Sequence, residues 1–342
     1  MFQKTGGAEI ISPINIGQKS RAFFSFLLRI GLSSLLLFYL FKKIDLQKTV
    51  EVLKTSDLRY LFFAGMTYFT INFILLLRWL VFIRALALKV TLRNVLRYFF
   101  AGLFGNLFLP SSVGGDVIKV LGLCHDSTEK PKVVASVVID RLSGFAGIVV
   151  VAVASFSLGY RMIDDKSLAV SIVVITLFSA MLAGVLFNEK IYSLCCQTFN
   201  RMPRIKRNLM QVHYDLALLK DKRWALFNAI WLSCVAQLIS AFVFFLTARA
   251  LHQDIELVYF CIFVPLICVV SFAPSIGGLG VREAGAAYLF SKIGVDSGIA
   301  VSISLINFSF MVAVGLIGGA IYVVTLSPRR IQHHQSAAGL GR

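Results

Sequence analysis

No nucleophilic triad, P-loop, dinucleotide fingerprint or His-Glu-x-x-His pattern occurs in this chain of 342 residues, so nothing in it points to enzymatic chemistry or a cofactor. Carboxylates are scarce: 17 Asp+Glu stand against 34 Lys+Arg, for a net charge of +17. In a soluble protein that surplus would suggest nucleic acid. Here no basic domain stands apart from the hydrophobic runs, and nucleic-acid binding is not expected. The basic residues flank apolar runs, where they anchor to anionic headgroups and set orientation. The six cysteines (Cys124, Cys195, Cys196, Cys234, Cys261, Cys268) have no metal-ligand spacing. Three of them, Cys234, Cys261 and Cys268, sit in apolar runs and read as small buried residues. The adjacent pair Cys195–Cys196 lies in a basic loop and signals acylation only weakly. The five histidines (His125, His213, His252, His333, His334) fall in loops or the tail. A cleavable signal is also missing, because residues 1–21 are mostly polar and the apolar stretch after them is too long for an h-region.

What the chain has in abundance is apolar length. Hydrophobic residues make up 58% of it and mean hydropathy is +0.81. A membrane span needs about 18 or more apolar residues in succession. Six segments meet that criterion, at 22–41, 60–83, 133–159, 167–187, 225–249 and 297–325. Two more apolar regions, 95–123 and 258–295, are interrupted near their middles by proline and glycine. The reading is an all-α integral membrane protein with six spans and two re-entrant hairpins. A cytoplasmic segment 1–21 precedes one transmembrane domain, 22–325, and a tail, 326–342, follows it.

Loop charge orients these spans. Residues 188–224 carry eight Lys/Arg against Glu189, Asp215 and Asp221, a cytoplasmic signature. Loop 250–257 has neither Lys nor Arg and fits the outside, although Arg249 stands at its edge. Arg329 and Arg330 return the tail to the cytoplasm. With 225–249 running outward and 297–325 inward, 258–295 must enter and leave from outside. By the same counting, 95–123 enters and leaves from the cytoplasm, and both termini are cytoplasmic. Loop 42–59, with five basic and three acidic residues, strains this scheme by falling outside.

The two interruptions resemble each other. One reads Phe-Leu-Pro-Ser-Ser-Val-Gly-Gly-Asp (Phe108–Asp116), with Lys119 a turn later. The other reads Phe-Ala-Pro-Ser-Ile-Gly-Gly-Leu-Gly-Val-Arg-Glu (Phe272–Glu283). Two spans precede each and one follows, giving halves 22–159 and 167–325 that an odd number of spans inverts. Inverted repeats around discontinuous helices are a recurrent transporter design.

Broken backbone at membrane depth survives only when buried in protein or lining a wet cavity. Pro110 and Pro274 stop the incoming helices. Gly114, Gly115, Gly277, Gly278 and Gly280 allow positive φ and close approach. Short helices starting near Asp116 and Val281 are expected to offer free N–H groups to an anion. Charge gathers at the same places, as Asp116 and Lys119, as Asp140 and Arg141, and as Arg282 and Glu283. Two readings stay open. In one, Arg141, Arg282 and Lys119 hold an anionic headgroup while Asp116, Asp140 and Glu283 pair with them or carry protons. In the other, Asp140–Arg141 and Arg282–Glu283 cross-pair only to lock the halves. Arg29, Arg78 and Arg84 are expected to snorkel to an interface, and Asn106, Gln237 and Asn307 to bridge helices.

Three stretches carry a resemblance: Asn106–Asp116 (N-L-F-L-P-S-S-V-G-G-D), Val138–Gly144 (V-I-D-R-L-S-G) and Pro274–Gly285 (P-S-I-G-G-L-G-V-R-E-A-G). Through them the chain resembles the transmembrane domain of the lysylphosphatidylglycerol synthase/flippase family, over roughly residues 20–325. In that family a basic residue often follows the first Asp, and Lys119 stands in that role three positions on. The resemblance implies lipid movement between leaflets of the cytoplasmic membrane, as part of cell-envelope work. The cargo it implies is an anionic or zwitterionic (glyco)phospholipid or a polyprenyl-linked lipid. The synthase domain of two-part members is expected to be absent, and aminoacyl transfer is not implied. Two other functions remain open: an intramembrane enzyme using Asp116, Asp140 or Glu283, and a non-transporting partner of an envelope-lipid synthase or glycosyltransferase. Oligomeric state is not legible.

Overall fold

A computed structural model describes residues 54–108, 114–159, 222–271 and 278–338, plus Val170, Val173 and Leu177, with side chains through Thr325. The expected span 22–41, the expected span 167–187 apart from those three residues, the loop 188–221, and Pro110, Pro274 and Gly277 lie outside the described residues. Among the described residues there are eight helices and no strand. They are α1 (Leu58–Ala85), α2 (Leu92–Phe108), α3 (Gly114–Asp126), α4 (Lys130–Gly159), α5 (Arg223–Ala250), α6 (Leu257–Val270), α7 (Val281–Ser291) and α8 (Ser297–Ala338).

Length separates these helices into two kinds. At 1.5 Å per residue, the 28-residue α1 and α5 each run about 42 Å, beyond the ~30 Å hydrocarbon core. α4, and α8 as far as Thr325, are equally long and apolar. The 17, 13, 14 and 11 residues of α2, α3, α6 and α7 reach only about 17–26 Å and fall short of a crossing. The protein is therefore an all-α membrane protein with four crossing helices among the described residues. α8 differs from the expected boundary at 325: helix continues through Ala338, into the segment read as a tail.

The short helices close into two antiparallel hairpins. In the first, Tyr98 meets Asp126 at the open end, and Gly102 meets Lys119 in the middle. At its tip Asn106 Oδ1 accepts from the Gly115 N–H at 2.8 Å. A Cβ on Gly115 would stand 2.2 Å from the Gly102 carbonyl oxygen, so this contact is open only to glycine. Gly115→Ala is expected to prise α2 from α3 and cost about 1–3 kcal/mol, the usual penalty of overpacking. Thermal unfolding in detergent measures it, and an unchanged melting temperature would contradict the close approach. In the second hairpin Phe260 (tilted) and Phe263 (edge-on) each meet the Phe290 ring at 5.3 Å between centroids, while Val270 lies against Gly285 near the tip.

α1 and α5 pack antiparallel along their length. Asp57 N–H donates to the Ala250 carbonyl at 2.9 Å at one end, and Arg78 reaches Ser233 toward the other. The start of α1 thus shares a face with the α5–α6 connection, where His252 Nε2 lies 2.9 Å from the Thr55 carbonyl oxygen. Hairpin α2–α3 begins at the far end of α1 and hairpin α6–α7 at the far end of α5, so the two enter from opposite faces. The same order, long helix, hairpin, long helix, occurs in α1–α4 and in α5–α8.

Packing respects that exchange. α2 lies on α8 and α6 lies on α4, so each hairpin rests on the last helix of the other half. Small residues allow the first of these contacts, since Gly315, Gly318 and Gly319 of α8 meet Leu107, Phe100 and Phe104 of α2. One apolar cluster fills α1–α4, another fills α5–α8, and a third lies on the α1–α5 seam around Ile71, Ile74 and Val243. Large apolar side chains such as Phe62, Phe63, Met66 and Phe73 remain exposed along α1, as a hydrocarbon-facing surface requires.

Candidate functional site

The tip of the first hairpin carries a buried carboxylate. α3 starts at Gly114, which places Asp116 in its first turn, where a negative side chain complements the helix dipole. Asp116 accepts from Arg141 Nε of α4 and faces Lys119 Nζ one turn on, at 3.3 Å. The Lys119 ammonium also lies over the rings of Trp79 (5.3 Å) and Phe99 (5.0 Å), a cation–π setting that replaces part of its hydration. Two cations therefore share one carboxylate at the point where the hairpin turns back.

The second hairpin repeats the acid and changes its partners. Glu283 occupies the same first-turn position of α7 as Asp116 does in α3 and is 0% exposed. Its Oε2 accepts from the Gly280 N–H at 2.6 Å, and Gly280 takes φ 84°, which favours glycine. Its Oε1 accepts from Arg282 Nη2 at 3.0 Å and from Ser304 Oγ of α8 at 3.1 Å. The Arg282 guanidinium also reaches Ser304 Oγ (3.2 Å) and covers the Phe308 ring at 5.0 Å.

A third group ties α4 to α1. Asp140 receives Arg78 Nε at 2.7 Å and Arg78 Nη2 at 3.1 Å, a bidentate pair, while Arg78 Nη1 donates to Ser233 Oγ of α5 at 3.0 Å. Arg78 is buried, which corrects the expectation that it snorkels to an interface. The signal was available. Arg78 lies seven residues before the end of α1 and Asp140 ten after the start of α4, so both sit about 10–15 Å from the same face. Arg84 is exposed, and Arg29 lies outside the described residues.

These ion pairs differ from the cross-locking that one of the two open readings held. Asp140 and Arg141 are adjacent but serve different neighbours, Arg78 and Asp116, both in their own half. Arg282 pairs with Glu283 in the other half. Across the seam Arg78 and Ser233 are joined side chain to side chain, in addition to the backbone contact of Asp57 with Ala250. At each helix start the chain's own oxygen takes one N–H, Asn106 that of Gly115 and Glu283 that of Gly280. Of the glycines expected to use positive φ, Gly278 and Gly280 do, whereas Gly114 and Gly115 are helical and serve close packing.

The polar bridges expected of Asn106, Gln237 and Asn307 take particular forms. Asn106 caps α3, Gln237 reaches Cys268 Sγ at 3.8 Å, and Asn307 of α8 donates to Thr247 of α5 at 3.3 Å. Asn307 follows Glu283 by 24 residues, as Asp140 follows Asp116. Asn307 thus stands where the other half has Asp140, and its partner Thr247 lies about one turn beyond the position in α5 that matches Arg78. Sequence reasoning missed Ser233 and Ser304, since serine in an apolar helix has no signature until its neighbour is known. Among the described residues no group of His, Cys, Asp and Glu is arranged to hold a metal ion.

This arrangement puts carboxylate-bound arginines at the tips of two hairpins entering from opposite faces. Such groups bind anions by exchange: a phosphate offering the same oxygens can replace the carboxylate on a guanidinium. The family model described as "Lysylphosphatidylglycerol synthase TM region" matches residues 26–319, which contain all of these groups. A protein of Pyrococcus horikoshii, UPF0104 membrane protein PH1989, is 23% identical over 315 residues, covering 84% of this chain and 92% of the relative.

Proposed function

From the premise that this chain belongs to the lysylphosphatidylglycerol synthase TM region family, we propose that it carries the headgroup of an anionic or zwitterionic lipid between leaflets. The cargo class is a (glyco)phospholipid or polyprenyl-linked lipid of the cytoplasmic membrane, and the termini face the cytoplasm. The observation that carries this reading is the placement of Asp116–Arg141–Lys119 and Glu283–Arg282 at the tips of oppositely entering hairpins.

Headgroup passage is the step that needs a protein, because a charge at membrane centre costs on the order of 3 kcal/mol or more. A guanidinium that trades its carboxylate for a phosphate keeps a partner throughout and lowers that cost. One hairpin tip receives the headgroup from its own face and the other releases it to the opposite face, an alternating-access cycle. Glu283 and Asp116 then serve as resting partners that re-pair once the lipid has left. An envelope-lipid biosynthetic enzyme is the partner class that would supply such cargo.

The test is a leaflet-resolved transport assay in proteoliposomes with a headgroup-labelled phospholipid. Arg141→Ala and Arg282→Ala are each expected to lower transport by about ten-fold or more, the loss that a charged hydrogen bond implies, while protein still inserts. Transport at the wild-type rate in both variants would sink this site assignment.

A further inference from the structure

Outside those three groups, one charged side chain among the described residues is buried without a counter-ion. Arg97 of α2 is 8% exposed, and its Nε has no hydrogen-bond partner. No carboxylate of the described residues pairs with it. Its guanidinium lies between two tyrosine rings, Tyr98 on its own helix and Tyr322 of α8, each centred 5.6 Å away. The Tyr98 hydroxyl is turned elsewhere, donating to Asp126 Oδ2 at 2.9 Å, so it is the ring of Tyr98 that meets the guanidinium. A guanidinium offers five N–H donors in a planar fork, and a buried one without an anion is costly.

Position identifies the missing partner. Arg97 lies five residues into α2, about 8 Å from the open end of the first hairpin. Tyr322 lies three residues before the end of the apolar part of α8. With α2 starting at the membrane surface, Arg97 stands at the inner edge of a headgroup layer roughly 5–8 Å deep, where lipid phosphates reside. Paired tyrosines favour that same depth.

We propose that Arg97, framed by Tyr98 and Tyr322, binds the phosphate of a membrane phospholipid at the α2–α8 seam. This is a docking site at the mouth of the first hairpin, separate from Arg141 and Arg282. It deepens the transport reading and rests on it for its purpose, because a lipid held there is poised to move along α2 toward Asp116. The planar fork grips two phosphate oxygens, and the tyrosine rings hold the guanidinium flat to receive them.

The experiment is native mass spectrometry of the full chain in detergent. It uses phosphatidylglycerol, diacylglycerol of the same acyl chains, and inorganic phosphate as separate probes. Wild type is expected to retain phosphatidylglycerol and not diacylglycerol. Arg97→Gln is expected to lose about ten-fold or more of that binding, Arg97→Lys part of it, and exposed Arg93→Gln little. A thermal melt of each variant checks that the fold is kept. Equal retention by Arg97→Gln and wild type would overturn the proposal and leave Arg97 a staple between α2 and α8. Occupancy by inorganic phosphate in place of the lipid would overturn the lipid as ligand. Binding as expected in a protein that moves no lipid would overturn the transport reading alone.

Discussion

Glu283→Ala is expected to give a protein that inserts but unfolds far more easily than wild type, by about 3–5 kcal/mol, the range for breaking a buried ion pair from one side. Glu283 is fully buried and accepts from the Gly280 N–H, Arg282 and Ser304 at once. Alanine leaves the Gly280 N–H, the Ser304 hydroxyl and the Arg282 guanidinium without their acceptor, and each unmet buried donor adds cost. It also removes the negative charge from the first turn of α7. Glu283→Gln keeps the shape and an acceptor oxygen and is expected to lose less. The double variant Arg282→Met/Glu283→Ala removes the stranded charge and should recover part of the loss. Denaturant or thermal unfolding in micelles reads these differences as a double-mutant cycle. Glu283→Ala melting as wild type does would mean that the tip of the second hairpin is held by something else.

Arg78→Met is expected to be comparably damaging, about 3–5 kcal/mol, because it strands Asp140 in a buried position. In the other half the residue matching Asp140 is Asn307, whose hydrogen bond to Thr247 shows what a neutral partner at that height looks like. Arg78→Met with Asp140→Asn should therefore regain much of the stability that Arg78→Met loses. The two Asp140 partnerships also predict a difference in kind. Among the described carboxylates Arg78 pairs with Asp140 alone, and not with Asp116 or Glu283, so the double variant should keep most lipid transport. Arg141→Ala should lose transport while melting closer to wild type, since Arg141 is a third exposed and Asp116 keeps Lys119. Measuring melting temperature and transport on the same preparations separates the two effects. A stable double variant that transports nothing would place Arg78 and Asp140 in the lipid path.

Much of this architecture was legible in the residues. The boundaries 60–83 and 225–249 fall within two residues of α1 and α5, because an apolar run long enough to cross leaves little choice of structure. The interrupted regions 95–123 and 258–295 overlap the two hairpins to within four residues at each end, although proline alone does not mark a break, since Pro265 lies inside α6. The matched acids Asp116 and Glu283 were visible by motif and hold equivalent first-turn positions. The partners were not visible. Arg78 read as an interfacial arginine, and Arg97 as one more flanking charge.

Hydropathy, helix length and the order of the two breaks are properties of the chain read along one dimension, and from them the residues alone determine an all-α membrane protein. Which charge meets which depends on helix rotation and depth, and these belong to the packed bundle. Adjacent residues on a helix point roughly 100° apart, so Asp140 turns to α1 while Arg141 turns to α3. Only the tertiary structure could settle that, among the described residues, Asp140 and Arg141 pair within their own half, that Asn106 and Glu283 each take one N–H at a helix start, and that Arg97 meets two aromatic rings and no acid.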